Sequence, residues 1–203
     1  MARVQAGDLD QRLRVLELQK EEATYSWQAV GAVWAKGELD TKSNLFSSIG
    51  IGARGATFTV RVNRQLTLAN AYLWRKQHCF ITTILPLEDA PGYMQVKAAL
   101  VTPVICTATW TPKEATDALN RPIEGTPEIV TFPGVLTEKY RGNESEDVYR
   151  TLTEQRVLVT PKAIRLRAGT VVQIPDGTDY TVRAVKDPDE WKNEYEIEHQ
   201  EDV

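Results

Sequence analysis

The sequence predicts a mainly β protein, built from small β-barrels in two tandem domains with one long projecting loop. Three observations lead there: period-two alternation of apolar and polar residues, Pro/Gly punctuation between the runs, and similar spacing in the two halves. Thr57-Phe58-Thr59-Val60-Arg61-Val62 alternates as a half-buried strand does. Phe80–Leu85 follows and is stopped by Pro86. Tyr93–Ala98 comes after the turn signal Ala90-Pro91-Gly92. Further on, Arg156–Thr160, Thr170–Ile174 and Tyr180–Val185 read the same way. Pro175-Asp176-Gly177 separates the last two as a turn, because proline presets φ and glycine accepts positive φ.

One segment has two readings. Asp8 is placed to cap a helix through Leu9, Leu13 and Leu16, with Gln11 completing a capping box. Leu13-Arg14-Val15 equally opens a strand, and periodicity does not separate the two. Residues 36–56 break the strand pattern. Four glycines and three serines surround the apolar island Leu45-Phe46 and Ile49, which suits a long loop. Residues 111–128 hold three of the ten prolines and read as a linker.

The halves resemble each other. Phe80–Ile84, a turn with Pro86 and acids, then Tyr93–Val96 makes one hairpin; Tyr180–Val185, a turn with Pro188 and acids, then Tyr195–Ile197 makes another. Upstream, Phe58 precedes Phe80 by 22 residues and Val157 precedes Tyr180 by 23. Duplication of one β plan and convergence of short β motifs both explain this. The expected organisation is a barrel-like domain over 1–110 carrying loop 36–56, a linker over 111–128, and a second β-rich domain over 129–203.

Composition narrows the function. Of the residues, 42% are hydrophobic and 26% charged, enough apolar side chain for a core and too much for disorder. No run approaches the length of a membrane span, and the first thirty residues lack an apolar h-region, so the expected product is made in the cytoplasm and not secreted. Two cysteines and two histidines are a thin supply, without the paired short spacings of a zinc site. Adjacent His78 and Cys79 face opposite ways on a strand, so Cys79 is expected in the core and His78 at the surface.

Catalytic signatures are missing. There is no nucleophile elbow, HExxH, Walker loop or paired CxxC. Gly50–Gly55 spells GxGxxG, but a Ser-rich loop precedes it and a strand follows, the reverse of a dinucleotide fold. No enzyme, cofactor or metal is expected. The clustered features are charges. Lys42, Arg54, Arg61, Arg64, Arg75 and Lys76 fall between positions 42 and 76, a patch that suits phosphate or carboxylate groups. Residues 1–109 carry 12 basic and 9 acidic side chains, and residues 110–203 carry 12 and 19. Opposite charge on the two halves suits association with unlike partners or with successive copies. Trp27, Trp34 and Trp74 read as core or interface anchors.

Gly7-Asp8-Leu9-Asp10-Gln11-Arg12-Leu13, then Trp27 to Val33-Trp34-Ala35, the long loop, Thr57-Phe58-Thr59-Val60-Arg61, and Phe80–Ile84 before Pro86 resemble the head closure proteins of tailed bacteriophages. These are also called head–tail joining, head completion or stopper proteins. The resemblance covers about residues 6–105 and rests on the order of five short motifs. It would make Leu13–Leu18 a strand. The glycine-rich loop departs from the family pattern, and residues 112–203 lie outside the usual short member, as a second related barrel or an added module.

The resemblance implies a structural protein of the virion neck, assembled in the host cytoplasm. It implies a hexameric ring of this chain below the portal and adaptor ring, retaining packaged double-stranded DNA without reading its sequence. The tail terminator or tail tube proteins would dock on it, and no membrane is involved. In this picture Lys42, Phe46 and Arg54 on the loop face the DNA channel, and Glu194, Glu196 and Glu198 form an acidic surface for a partner ring. The alternatives are another neck or tail ring, adaptor or tail terminator, and a β-sandwich ligand-binding tail module.

Overall fold

The computed structural model describes residues 6–40, 54–116, 122–138, 152–186 and 190–201. Apart from a 3₁₀ turn at Ala6–Asp8, the regular structure among them is all β. No helix among the described residues is long and apolar enough to cross a membrane. The chain divides into two compact units, residues 1–19 with 27–103, and residues 20–26 with 104–203.

The first unit holds most of β1 (Gln11–Glu21) and of β2 (Thr24–Asp40), whose shared turn over residues 20–26 belongs to the second, together with β3 (Gly55–Arg61), β4 (Asn70–Trp74), β5 (Gln77–Pro86) and β6 (Tyr93–Val101). Hydrogen-bonded neighbours run β1-β4-β5-β6-β3-β2, and β1 pairs with β2 to close a ring. The segment with two readings is a strand. Leu13 and Val15 are buried while Arg12 and Arg14, which alternate with them, are exposed, the period of a strand and not of the helix suggested by Leu9, Leu13 and Leu16.

Leu13, Phe58, Val60, Tyr72, Ile81 and Val96 form the centre of its core. Phe58 meets Tyr72 and Trp74 edge-on at 5.7 and 5.1 Å, contacts of roughly 0.5–1.5 kcal/mol each beyond the area they bury. The Trp74 indole N–H donates to Gln11 Oε1 at 2.7 Å, and Gln11 Nε2 donates to the Gly37 carbonyl at 3.3 Å. Gly37 belongs to this packing and not to a loop: β2 runs on to Asp40, and Thr57 Oγ1 donates to Asp40 Oδ2 at 2.8 Å. Residues 36–40 and 55–56 of the expected loop are therefore strand; residues 41–53 lie outside the described residues.

The second unit holds β7 (Val104–Trp110), β8 (Lys113–Thr116), β9 (Pro122–Glu124), β10 (Glu128–Glu138), β11 (Leu152–Pro161), β12 (Val171–Gln173), β13 (Asp179–Lys186) and β14 (Lys192–Glu201). The stretch expected as a linker thus forms the small hairpin β8–β9 within this unit. Pairings run β7-β12-β13-β14-β11-β10, and β10 pairs back with β7. Taking β8–β9 as an insertion, this is the same strand order as the first unit: β7 stands for β1, β10 for β2, and β11 to β14 for β3 to β6. The likeness reaches into local detail. The β5–β6 hairpin shifts register between Ile81 and Thr83, and β13–β14 shifts between Val182 and Ala184. Both are bulges one residue long on the first strand of the hairpin.

Phe132, Leu158, Ile164, Tyr180, Tyr195 and Ile197 fill the second core. The Tyr195 hydroxyl donates to the Ile164 carbonyl at 2.9 Å and accepts the Leu166 N–H at 3.0 Å, so its buried oxygen is satisfied. Pro133-Gly134 lies inside β10. The strand pairs with β7 over 128–134 and with β11 over 135–138, so the proline sits where β10 changes partner.

Candidate functional site

Two strand features bring four cations together on the first unit. Alternation on β1 turns Arg12 and Arg14 outward on one face, about 7 Å apart at the usual rise of a strand. Arg14 pairs with Leu73 on β4, and two residues later the chain turns at Arg75-Lys76 into β5. This is a two-residue hairpin connection with φ of 51° at Arg75 and 68° at Lys76. Such turns normally carry Asn-Gly, because a side chain in the left-handed region costs roughly 1–2 kcal/mol.

Arg12, Arg14, Arg75 and Lys76 line a cleft of about 770 Å³. Residues 29–32 of β2 and Leu73 complete the lining, with the small residues Ala29, Gly31 and Ala32 beside Val30. Residues 28–32 are exposed at every position, so this stretch of β2 has no buried face. The lining contains no carboxylate. Among the described residues none of the four cations has an ion-pair partner; Arg75 lies over the Trp74 ring at 4.8 Å. Every charged or polar side chain in the lining is a pure hydrogen-bond donor.

A second cleft on this unit, about 600 Å³, is apolar in character. Leu9, Val33, Trp34 and Val62 line it with Arg61 and Asn63, and Trp34 and Val62 are 58% and 53% exposed.

Of the residues expected at the DNA channel, Lys42 and Phe46 lie outside the described residues. Arg54 is exposed just before β3, and its carbonyl accepts the Leu100 N–H at 2.8 Å. Of the basic cluster, Arg61 and Arg64 are exposed apart from the four-cation cleft, while Arg75 and Lys76 belong to it. Arg12 and Arg14 escaped the sequence reading because the chain separates them by sixty residues from the turn they face. The signal that could have found them is the Arg-x-Arg alternation on a strand start.

The acidic trio is placed differently from expectation. Glu194 is buried and bonded to Lys192, whose Nζ lies 2.5 Å from its carboxylate and 5.0 Å from the Trp191 ring centre. Glu196 pairs with Lys186 and Glu198 with Arg183, both partly buried. Glu194 therefore offers no surface charge, and the other two carry their own counter-ions. His78 also departs from expectation: it is buried beside Trp27, ring centres 5.2 Å apart. Burial pushes its pKa down to about 4. Cys79 is in the core as expected, its thiol pushed up to about 12 by burial.

One polar constellation on the second unit has residue types that also serve in catalysis. Glu154 accepts from Arg156 Nε at 2.8 Å and from the Tyr180 hydroxyl at 3.0 Å, and His199 stacks on Tyr180 at 5.5 Å. The Arg156 hydrogen bond is the main reason that Glu154 sits below the usual carboxylate range. Burial raises Tyr180 to about 12. Glu154, Arg156 and Tyr180 thus hydrogen-bond one another while His199 Nδ1 bonds the Asp179 carbonyl at 2.8 Å, an arrangement that ties β11 to β13 and β14. Among the described residues no three His, Cys, Asp or Glu side chains are grouped to hold a metal. No family model matches the chain, and no curated protein and no solved structure matches it.

Proposed function

We propose that this chain is a structural, non-catalytic protein of a tailed-phage neck, forming a ring that closes the DNA-filled head and joins portal or adaptor to tail. One observation carries the reading. The segments that resemble head closure proteins fall on β1, β2, β3 and β5 of one closed unit, which ends at Pro103 where the resemblance ends near residue 105. The described motifs thus share one ring of strands, which supports the reading.

Surface composition agrees with life inside an assembly. Trp34 and Val62 on the first unit, and Ile105, Ile129 and Val171 on the second, are large apolar side chains left in solvent. The register puts Ile129 and Val171 on either side of Thr109, so the latter group forms one face across β10, β7 and β12. Faces of this kind suit contacts with copies of the chain and with adjoining rings. The repeated strand plan gives each copy two such units.

Electron microscopy of particles from a phage with a nonsense codon in this gene tests the reading. The expected result is tailless heads that have packaged DNA and lost it. Filled heads beside finished, unattached tails of irregular length would assign the tail terminator instead. Normal tailed particles would overturn the proposal.

A further inference from the structure

We propose that the cleft formed by Arg12, Arg14, Arg75 and Lys76 binds the phosphodiester backbone of duplex DNA. The inference deepens the neck reading by giving DNA contact a place on the strand scaffold, and it rests on that reading only for which DNA is bound.

The chemistry selects the ligand. The four side chains offer donors and no acceptor, and no carboxylate lines the cleft. A protein surface presents donors and acceptors together, and would leave its own donors unmatched here. A phosphodiester chain presents acceptors alone. Three of the four cations are arginines, whose planar forks fit phosphate oxygens two at a time. The short side chains of Ala29, Gly31 and Ala32 leave a trough between them, and nothing lies within 4 Å of where a Gly31 Cβ would stand.

The fold does not require these cations. The buried pair Val15–Tyr72 of β1–β4 corresponds to Ala108–Val172 of β7–β12. Counting from those pairs, Ile105 stands where the first unit has Arg12, Thr107 where it has Arg14, and Pro175-Asp176 where it has Arg75-Lys76. One scaffold position thus carries four positive charges in one unit and none in the other. Arg75 and Lys76, moreover, hold the turn conformation that favours Asn-Gly. Strained backbone retained for its side chains is a mark of a binding site.

Contacts of this sort read no sequence and depend steeply on salt. Four phosphates neutralised per chain give a slope of about −3 to −4 in log affinity against log salt, so a fourfold rise in salt weakens binding about a hundredfold. The test is fluorescence anisotropy of the full chain with labelled duplexes of two unrelated sequences, titrated from 50 to 200 mM salt. Arg12→Gln with Arg14→Gln, and Arg75→Asn with Lys76→Gly, should each remove about two from the slope and at least tenfold from the affinity at 50 mM. The second variant places the residues the turn prefers, so its loss of binding is not loss of folding; circular dichroism checks both.

Three results would overturn the proposal: no binding of the unaltered chain at 50 mM salt, undiminished binding by both folded variants, or binding to phosphatidylserine vesicles without binding to DNA. Particle microscopy reads the neck assignment separately. Salt-dependent DNA binding by a chain whose loss leaves tailed particles intact would sink that assignment and leave the cleft standing.

Discussion

Arg75 and Lys76 are consecutive residues that both hold positive φ, 51° and 68°, at the centre of the β4–β5 turn. Neither is glycine or asparagine, the residues that hold this conformation at low cost. Replacing the pair by Asn-Gly should relieve roughly 1–2 kcal/mol of backbone strain, less about 0.5–1 kcal/mol for the lost stacking of Arg75 on Trp74. Thermal unfolding is expected to rise by about 2–4 °C per kcal/mol gained. A fall in unfolding temperature would mean that the two cations stabilise the turn.

Lys192 and Glu194 form the buried ion pair of β14, with 2% and 3% of their side chains exposed. Removing one partner strands a charge in the interior and typically costs about 3–5 kcal/mol. Glu194→Gln or Lys192→Met alone should therefore lower the urea midpoint strongly. Replacing both together, by Lys192→Met with Glu194→Leu, should recover most of the loss. Equal loss in the single and double variants would show that the pair matters for shape and not for charge.

His78 gives the chain an acid-side weakness. Its pKa is about 4 when folded, against an ordinary 6.5, because burial disfavours the imidazolium. Above pH 6.5 the residue is neutral in both states and has no effect. As pH falls from 6.5 towards 4, the unfolded chain binds the proton first and stability drops, by about 3 kcal/mol in total. His78→Leu should flatten unfolding temperature against pH across that window. An unchanged slope would place the acid sensitivity elsewhere, with Glu154 and Asp176 the next carboxylates to examine, since both are held below their usual range.

Trp34 is 58% exposed on β2 and lines the apolar cleft with Val62. Trp34→Ser should change stability by no more than about 0.5 kcal/mol, as exposed positions usually do. If this face meets other copies, sedimentation at rising concentration should show self-association in the unaltered chain and its weakening in the variant. Identical sedimentation of the two would remove this face from the ring contacts.

Strand identity was legible wherever one face is buried and one is wet. Thr57–Val62, Phe80–Leu85 and Tyr93–Ala98 announce themselves in that way, and the matched hairpins pointed to the repeated plan. β4 did not announce itself, because Asn70, Ala71, Tyr72 and Trp74 are all buried and leave no alternation to read. β10 was hidden by Pro133-Gly134, which only the change of pairing partner explains. β8 and β9 were hidden by the prolines that suggested a linker. The cationic cleft was half visible: Arg75 and Lys76 stood out as adjacent charges, but strand pairing alone brings Arg12 and Arg14 to them. Glu194 misled because its counter-ion Lys192 is only two residues away, on the same face of the strand, and charge counted along a sequence does not reveal burial.

The proposed ring at the head–tail junction would turn its cationic cleft toward DNA. A cryo-electron microscopy reconstruction of that junction in purified particles tests it most directly. The expected result is a closed ring of copies, each with two rings of six strands, and with Arg12, Arg14, Arg75 and Lys76 facing the DNA density. A junction without this fold, or one in which those four residues face a protein neighbour, would contradict it.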